Sequence, residues 1–143
     1  MKIAIIGQGY VGLTISVFAG ENYEVVGFDR NELIVSQLNK GYSHIEGVES
    51  ADLARLIKSG RYLASNDEAC IENSEIVVIA VPTPLTTDRK PDLTYIESAC
   101  EAIGKNLNNR ALIINESTSF PGTIRNYIKP VIERYSKVDL GHM

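Results

Sequence analysis

Apolar positions along this chain fall into two alternating rhythms. The short runs Ile3-Ala4-Ile5-Ile6, Glu24-Val25-Val26-Gly27-Phe28, Tyr62 to Ala64, Ile76-Val77-Val78-Ile79-Ala80-Val81 and Ala111 to Ile114 read as five strands. Continuously apolar runs suit strands covered on both faces, because a strand with one wet face would alternate. Ile76 to Val81 is the clearest central strand. Between the runs, apolar residues recur every three or four positions, which predicts helices. The first runs from about Tyr10 to Ala19 with Gly20 as its stop, and the second from Glu32 to Lys40, with Asn31 as N-cap and Gly41 as terminator. The third is capped by Ser50, has Leu53, Ala54 and Ile57 on one face, and ends at Gly60. Asp67 caps a short helix, and Asp92 opens a longer one with Ile96, Ala99, Ile103 and Leu107 on one stripe. The last begins around Pro121 to Thr123, and Pro130 inside it should kink or break it. Strands alternating with helices predict an α/β fold, a Rossmann-type doubly wound parallel sheet.

Composition narrows the reading. A length of 143 residues is that of one domain. The net charge of −4 comes from 14 basic and 18 acidic residues scattered along the chain, which gives no footprint for nucleic acid or an anionic membrane. Cys70 and Cys100 lack His or Cys neighbours at ligand spacing, so no metal site is expected and both read as small hydrophobes in helices. The amino-terminal apolar run stops at Gly7, too short for a signal core or a membrane span, so nothing in it directs the chain out of the cytoplasm. His44, between the second and third helices, is expected at the surface.

The first strand feeds Gly7-Gln8-Gly9-Tyr10-Val11-Gly12, a GxGxxG turn ahead of a helix. In such a turn Gly7 permits the tight bend, Gly9 lets backbone approach a pyrophosphate, and Gly12 lets the helix lie close to the sheet. The ligand's charge then meets the free N–H groups and positive end of that helix. Asp29 ends the second strand about 20 residues after the turn, where a carboxylate accepts hydrogen bonds from ribose hydroxyls and repels a 2′-phosphate, favouring NAD over NADP. Alternatively Asp29 forms an Asx turn or caps the next helix, although Asn31 can do that. Arg30 could hold a 2′-phosphate or be a solvated surface cation.

In a doubly wound sheet the loops after strands one, four and five converge where strand order reverses. After strand four, Val81-Pro82-Thr83-Pro84-Leu85 stiffens the backbone and offers the Thr83 hydroxyl. After strand five comes the polar run Asn115-Glu116-Ser117-Thr118-Ser119 ahead of Phe120-Pro121-Gly122-Thr123. Thr118 or Ser119 could simply cap the following helix, and the two prolines could simply end a strand.

The glycine turn with Leu13, Val81-Pro82-Thr83-Pro84-Leu85, and Glu116-Ser117-Thr118 with Pro121-Gly122-Thr123 together resemble the nucleotide-sugar 6-dehydrogenase family over essentially the whole chain. By that resemblance Tyr10 and Val11 meet the pyrophosphate through backbone N–H, Asp29 the adenosine ribose, Thr83 the cofactor near its ribose and phosphates, and Thr118 the nicotinamide end. The family's threonine at the Thr118 position is also implicated in positioning a catalytic water. Thr83-Pro84-Leu85-Thr86 with Arg89-Lys90-Pro91-Asp92-Leu93 is more similar to the UDP-N-acetylhexosamine branch than to the UDP-glucose branch. The resemblance implies a homo-oligomeric full-length enzyme that takes a UDP-sugar and oxidises its C6 alcohol twice with two NAD.

Two departures stand out. The family often has a basic residue five positions after the ribose aspartate, near the adenine side, where this chain has Ile34, so either Arg30 substitutes as a cofactor-binding residue or the adenine pocket is less polar. The family's catalytic cysteine, catalytic lysine, sixth strand and nucleotide-sugar domains find no match, and Cys70 and Cys100 fit neither the context nor the position of the catalytic one. The expectation is therefore a fragment, residues 1–143 forming the NAD-binding domain, that binds NAD without turnover and leaves the fifth strand as an apolar edge liable to pair between copies. A stand-alone NAD-sensing module and an S-adenosylmethionine-dependent methyltransferase are the other readings.

Overall fold

A computed structural model describes residues 1–136. Its five strands are β1 (Lys2–Ile6), β2 (Glu24–Phe28), β3 (Tyr62–Ser65), β4 (Ile76–Ile79) and β5 (Leu112–Asn115). They form one fully parallel sheet in the order β3-β2-β1-β4-β5, so the winding direction reverses between β1 and β4. The helices are α1 (Tyr10–Gly20), α2 (Glu32–Asn39), α3 (Ser50–Lys58), α4 (Thr94–Asn106) and α5 (Lys129–Tyr135), with a 3-10 turn at Glu68–Ile71.

The unbroken apolar runs exist because each face of the sheet has its own cover. Successive side chains of a strand point to opposite faces. Ile3, Ile5, Val25 and Val78 pack with Leu13, Val35, Leu38, Leu53 and Leu56, while Ala4, Ile6, Val26, Phe28, Val77 and Ile79 pack with Ile96, Ala99, Ile103, Val131 and Ile132. Each fully buried Ile or Leu is worth about 1.5–3 kcal/mol relative to exposure.

Several local expectations give way to packing. Gly20 is the last residue of α1 and carries no left-handed stop; a Cβ there would lie 2.9 Å from Leu56 Cδ1, so its role is to let α1 approach α3. Ser50 does not cap α3, whose N-cap is Glu49; its hydroxyl instead accepts from Ser43 N. The buried residues of α3 are Leu53 and Leu56, and Ala54 is exposed. Asn31 and Asp67 do cap their elements, and Gly41 and Gly60 take positive φ at helix ends. β4 stops at Ile79, before Ala80 and Val81, and β5 runs one residue later than expected. The break at Pro130 takes the form of a π turn over Ile124–Ile128, where Lys129 N donates to Ile124 O. Pro130 follows as the second residue of α5, directly after the π turn, so the wider turn precedes the position that lacks an N–H.

Among the described residues β5 lies at the sheet edge, with Leu112 59% exposed. Cys100 is buried in α4 and Cys70 half-buried in the 3-10 turn. His44 departs from the expected surface position: it is half-buried, and its Nδ1 is shielded from solvent with no hydrogen-bond partner among the described residues.

Candidate functional site

The carboxyl ends of β1, β2, β4 and β5 bring four loops together at the reversal point of the sheet. Gly7 leaves β1 with φ +93°, donating its N–H to Phe28 O at 2.8 Å, and a Cβ there would lie 2.7 Å from Ala80 O. Only a glycine fits this bend between the ends of β2 and β4. A Cβ on Gly12 would overlap the Gly7 carbonyl oxygen, so the third glycine seats α1 on the turn's own backbone, with Ala80 Cβ next nearest. Gly9 differs from both. Its φ of −76° and ψ of −160° suit any residue, and a Cβ there would meet nothing within 4 Å, so its face opens outward.

Gly9 is the N-cap of α1, and no side chain caps that helix. Its first turn contains no acidic residue, and Tyr10 and Val11 are 67% and 46% exposed. The leading N–H groups of a helix lack intrahelical partners and carry the positive end of its dipole. The bend therefore presents unneutralised donors beside a surface cleared of side chains, a combination suited to an anion.

Asp29 stands just past β2, half-buried, with Oδ2 accepting from Gln8 N at 2.8 Å and Oδ1 from Asn31 N at 2.9 Å. The two roles weighed from the sequence are compatible: Asp29 makes the local bond to Asn31, and Asn31 Oδ1 caps α2 through Leu33 N and Ile34 N. Each carboxylate oxygen is held by one backbone donor and keeps capacity for another. Arg30 is exposed and pairs with Glu68 at 3.3 Å. Ile34 is half-buried on the first turn of α2, and Leu33 beside it is 80% exposed.

The loops after β4 and β5 are tied together. Glu116 N donates to Ile79 O at 2.9 Å, and the buried Ser117 hydroxyl donates to Val81 O at 2.8 Å. Ser117 thus fixes the end of β5 against the proline-stiffened loop carrying the half-buried Thr83. Thr118 next to it is exposed, and its hydroxyl has no hydrogen bond among the described residues. Capping by Thr118 or Ser119 does not occur: the π turn has no side-chain cap, and Ser119 Oγ instead accepts from Asn115 Nδ2 at 3.4 Å. Asp92 accepts from Thr94 N and Oγ1 ahead of α4, and these bonds hold its carboxyl below the usual range.

Sequence reasoning passed over Gln8, which is completely buried. Its Nε2 donates to Ile5 O and Gly7 O, and its Oε1 accepts from Ser16 Oγ at 3.1 Å and Tyr62 OH at 2.9 Å. The available signal was Gly27 inside a central strand, since a strand glycine often marks a close approach. A Cβ on Gly27 would lie 2.5 Å from Gln8 Cδ and Oε1.

Compared with known proteins, residues 1–142 match the family model described as UDP-glucose/GDP-mannose dehydrogenase family, NAD binding domain. A UDP-N-acetyl-D-glucosamine 6-dehydrogenase of Pseudomonas aeruginosa is 34% identical over 136 residues, covering 95% of this chain and 32% of the relative. A UDP-N-acetyl-D-mannosamine dehydrogenase of Campylobacter jejuni is 38% identical over 143 residues, covering 99% of this chain and 35% of the relative. Among solved structures, a ternary complex of GDP-mannose dehydrogenase from Pseudomonas aeruginosa superposes with a TM-score of 0.86 at 34% identity, over 95% of this chain and 33% of that one. The chain spans about a third of the length of the curated relatives it matches. No helix among the described residues is long and apolar enough to cross a membrane.

Proposed function

Because this chain belongs to the UDP-glucose/GDP-mannose dehydrogenase family, through its NAD-binding domain, we propose that it holds NAD for oxidation of a nucleotide-sugar C6 alcohol to a carboxylate. The observation that carries the reading is the open face of Gly9 at the uncapped start of α1, with a fixed carboxylate beside it at Asp29. The residues fit the cofactor. The N–H groups of Tyr10 and Val11 bind the pyrophosphate, with Gly7 and Gly12 holding the bend rigid. Asp29 accepts from the adenosine ribose and disfavours a 2′-phosphate, while Arg30, engaged by Glu68, contributes little. Thr83 and Thr118 stand on the loops after β4 and β5, which Ser117 keeps in register, and from there orient the nicotinamide toward the sugar carbon. When bound, NAD supplies the hydride acceptor; the protein's share is alignment and, at Thr118, placement of a water.

The substrate class is a UDP-N-acetylhexosamine, supported by the names of the glucosamine and mannosamine relatives and by the Thr83 to Leu93 segment. The 143-residue chain binds without turnover. Cys100 is buried in α4 and Cys70 half-buried in the turn after β3, neither of them on the loops after β1, β4 and β5, and burial disfavours the thiolate of each, so neither is placed as the nucleophile that covalent oxidation needs. The active enzyme is a longer, homo-oligomeric protein.

Titration with NADH, read by its fluorescence, tests the assignment. The wild-type chain binds, and Asp29→Ala binds at least tenfold more weakly, about 1.4 kcal/mol. Unchanged affinity in the variant would remove Asp29 from the site, and absence of binding by the wild type would remove the cofactor reading.

A further inference from the structure

Gln8 occupies the variable position between the first two glycines of the turn, yet it is among the most constrained side chains in the protein. A methionine would fill similar space without burying an amide, and burying an amide is unfavourable unless its hydrogen bonds are made. Here they are made to the Ile5 and Gly7 carbonyls and from the Tyr62 hydroxyl, with the Ser16 hydroxyl shared between Gln8 Oε1 and the nearer Gly12 O. These bonds fix the plane of the side chain relative to β1, α1 and β3. With the side chain clamped, the Gln8 backbone N–H is aimed at Asp29 Oδ2, 2.8 Å away. β2 makes room for the arrangement by placing Gly27 opposite, where a Cβ would also approach Tyr62 OH to 2.8 Å.

We propose that Tyr62 and Gln8 are positioning residues for cofactor recognition: the Tyr62 hydroxyl, acting through the Gln8 amide, sets the orientation in which Asp29 reads the adenosine ribose. The proposal rests on the NAD-binding reading above. Tyr62 is 2% exposed on β3 and, among the described residues, its hydroxyl has one partner, Gln8 Oε1, so its place is behind the crevice surface. Its distance from the crevice surface is bridged by two bonds, Tyr62 OH to Gln8 Oε1 and Gln8 N to Asp29 Oδ2. Asp29 is also close enough to Tyr62 to add to burial in opposing ionisation of the phenol. Because hydrogen bonds in series polarise one another, loss of the phenol donor also weakens the grip of the amide on the Gly7 carbonyl.

A purely structural hydroxyl would lower affinity for every adenine dinucleotide alike, whereas a positioning hydroxyl changes what Asp29 can distinguish. The test compares NADH with its analogue lacking the adenosine 2′-hydroxyl, titrated into wild type, Tyr62→Phe and Ser16→Ala, with thermal melts confirming that each is folded. In wild type the analogue binds about tenfold more weakly, the loss of one hydrogen bond to a charged acceptor. In Tyr62→Phe this ratio falls to half the wild-type value or below, because a misaimed carboxylate gains less from the hydroxyl. Ser16→Ala, which removes a hydroxyl whose single proton is divided between Gly12 O at 2.8 Å and Gln8 Oε1 at 3.1 Å, lowers the ratio in the same sense but by less. A ratio above half the wild-type value in Tyr62→Phe would overturn the proposal, whatever Ser16→Ala does, while leaving the cofactor reading intact. Absence of NADH binding by the wild type would remove both.

Discussion

Substituting Gly9 by alanine separates folding from binding at this site. The backbone at Gly9, with φ −76° and ψ −160°, lies in the extended region open to any L-residue, and the added Cβ meets nothing within 4 Å. Replacing a glycine by alanine at a compatible position stabilises by about 0.4–1 kcal/mol through the unfolded chain. Alanine is a poorer N-cap than glycine by roughly a similar amount, so the two terms nearly cancel. The expected net change is within about 0.5 kcal/mol, a shift of roughly 2 °C in Tm for a domain of this size. The same methyl stands where a phosphate must approach the N–H groups of α1, so NADH affinity should fall at least tenfold, about 1.4 kcal/mol. Differential scanning calorimetry and fluorescence titration on the same preparation measure both quantities. Affinity within threefold of wild type would show that no phosphate passes over Gly9. A fall in Tm of more than about 5 °C would show that the face is not open.

Two further outcomes follow from packing and charge. Gly27→Ala should destabilise by about 1–3 kcal/mol, because its Cβ lands 2.5 Å from Gln8 Cδ; adding Gln8→Ala should recover part of that loss, as urea melts of single and double variants would reveal. The Cys100 thiol is raised by burial and by Glu97 from an ordinary value of 9.0 to about 12. Its folded pKa is thus above its unfolded one, so this contribution to stability is complete below about pH 9 and is lost as pH rises toward 12. Urea melts between pH 8 and 11 should show stability falling by up to about 1.4 kcal/mol per pH unit from this group, and a shallower fall in Cys100→Ala. Equal slopes would mean that the thiol is not the group responsible.

The sequence by itself determined the elements and their class. Unbroken apolar strands such as Ile76–Ile79 can only be covered on both faces, and turn and cap chemistry is local, so Asn31, Asp67, Gly41 and Gly60 act as their residue types dictate. The glycine turn and the acidic end of β2 were legible for the same reason, being spaced along one βαβ unit. What the tertiary structure alone decided is everything that depends on a partner distant in the chain. Gly20 meets Leu56, Ser50 is taken by Ser43, Arg30 is drawn to Glu68, and Ser117 reaches across to Val81. Gln8 is the fullest case, since its buried amide gains meaning only from Ser16, Tyr62 and the space left by Gly27. Contacts between strands that are neighbours in space but far apart in sequence leave no periodicity to read, and a buried polar group is defined by its partners rather than by its own position.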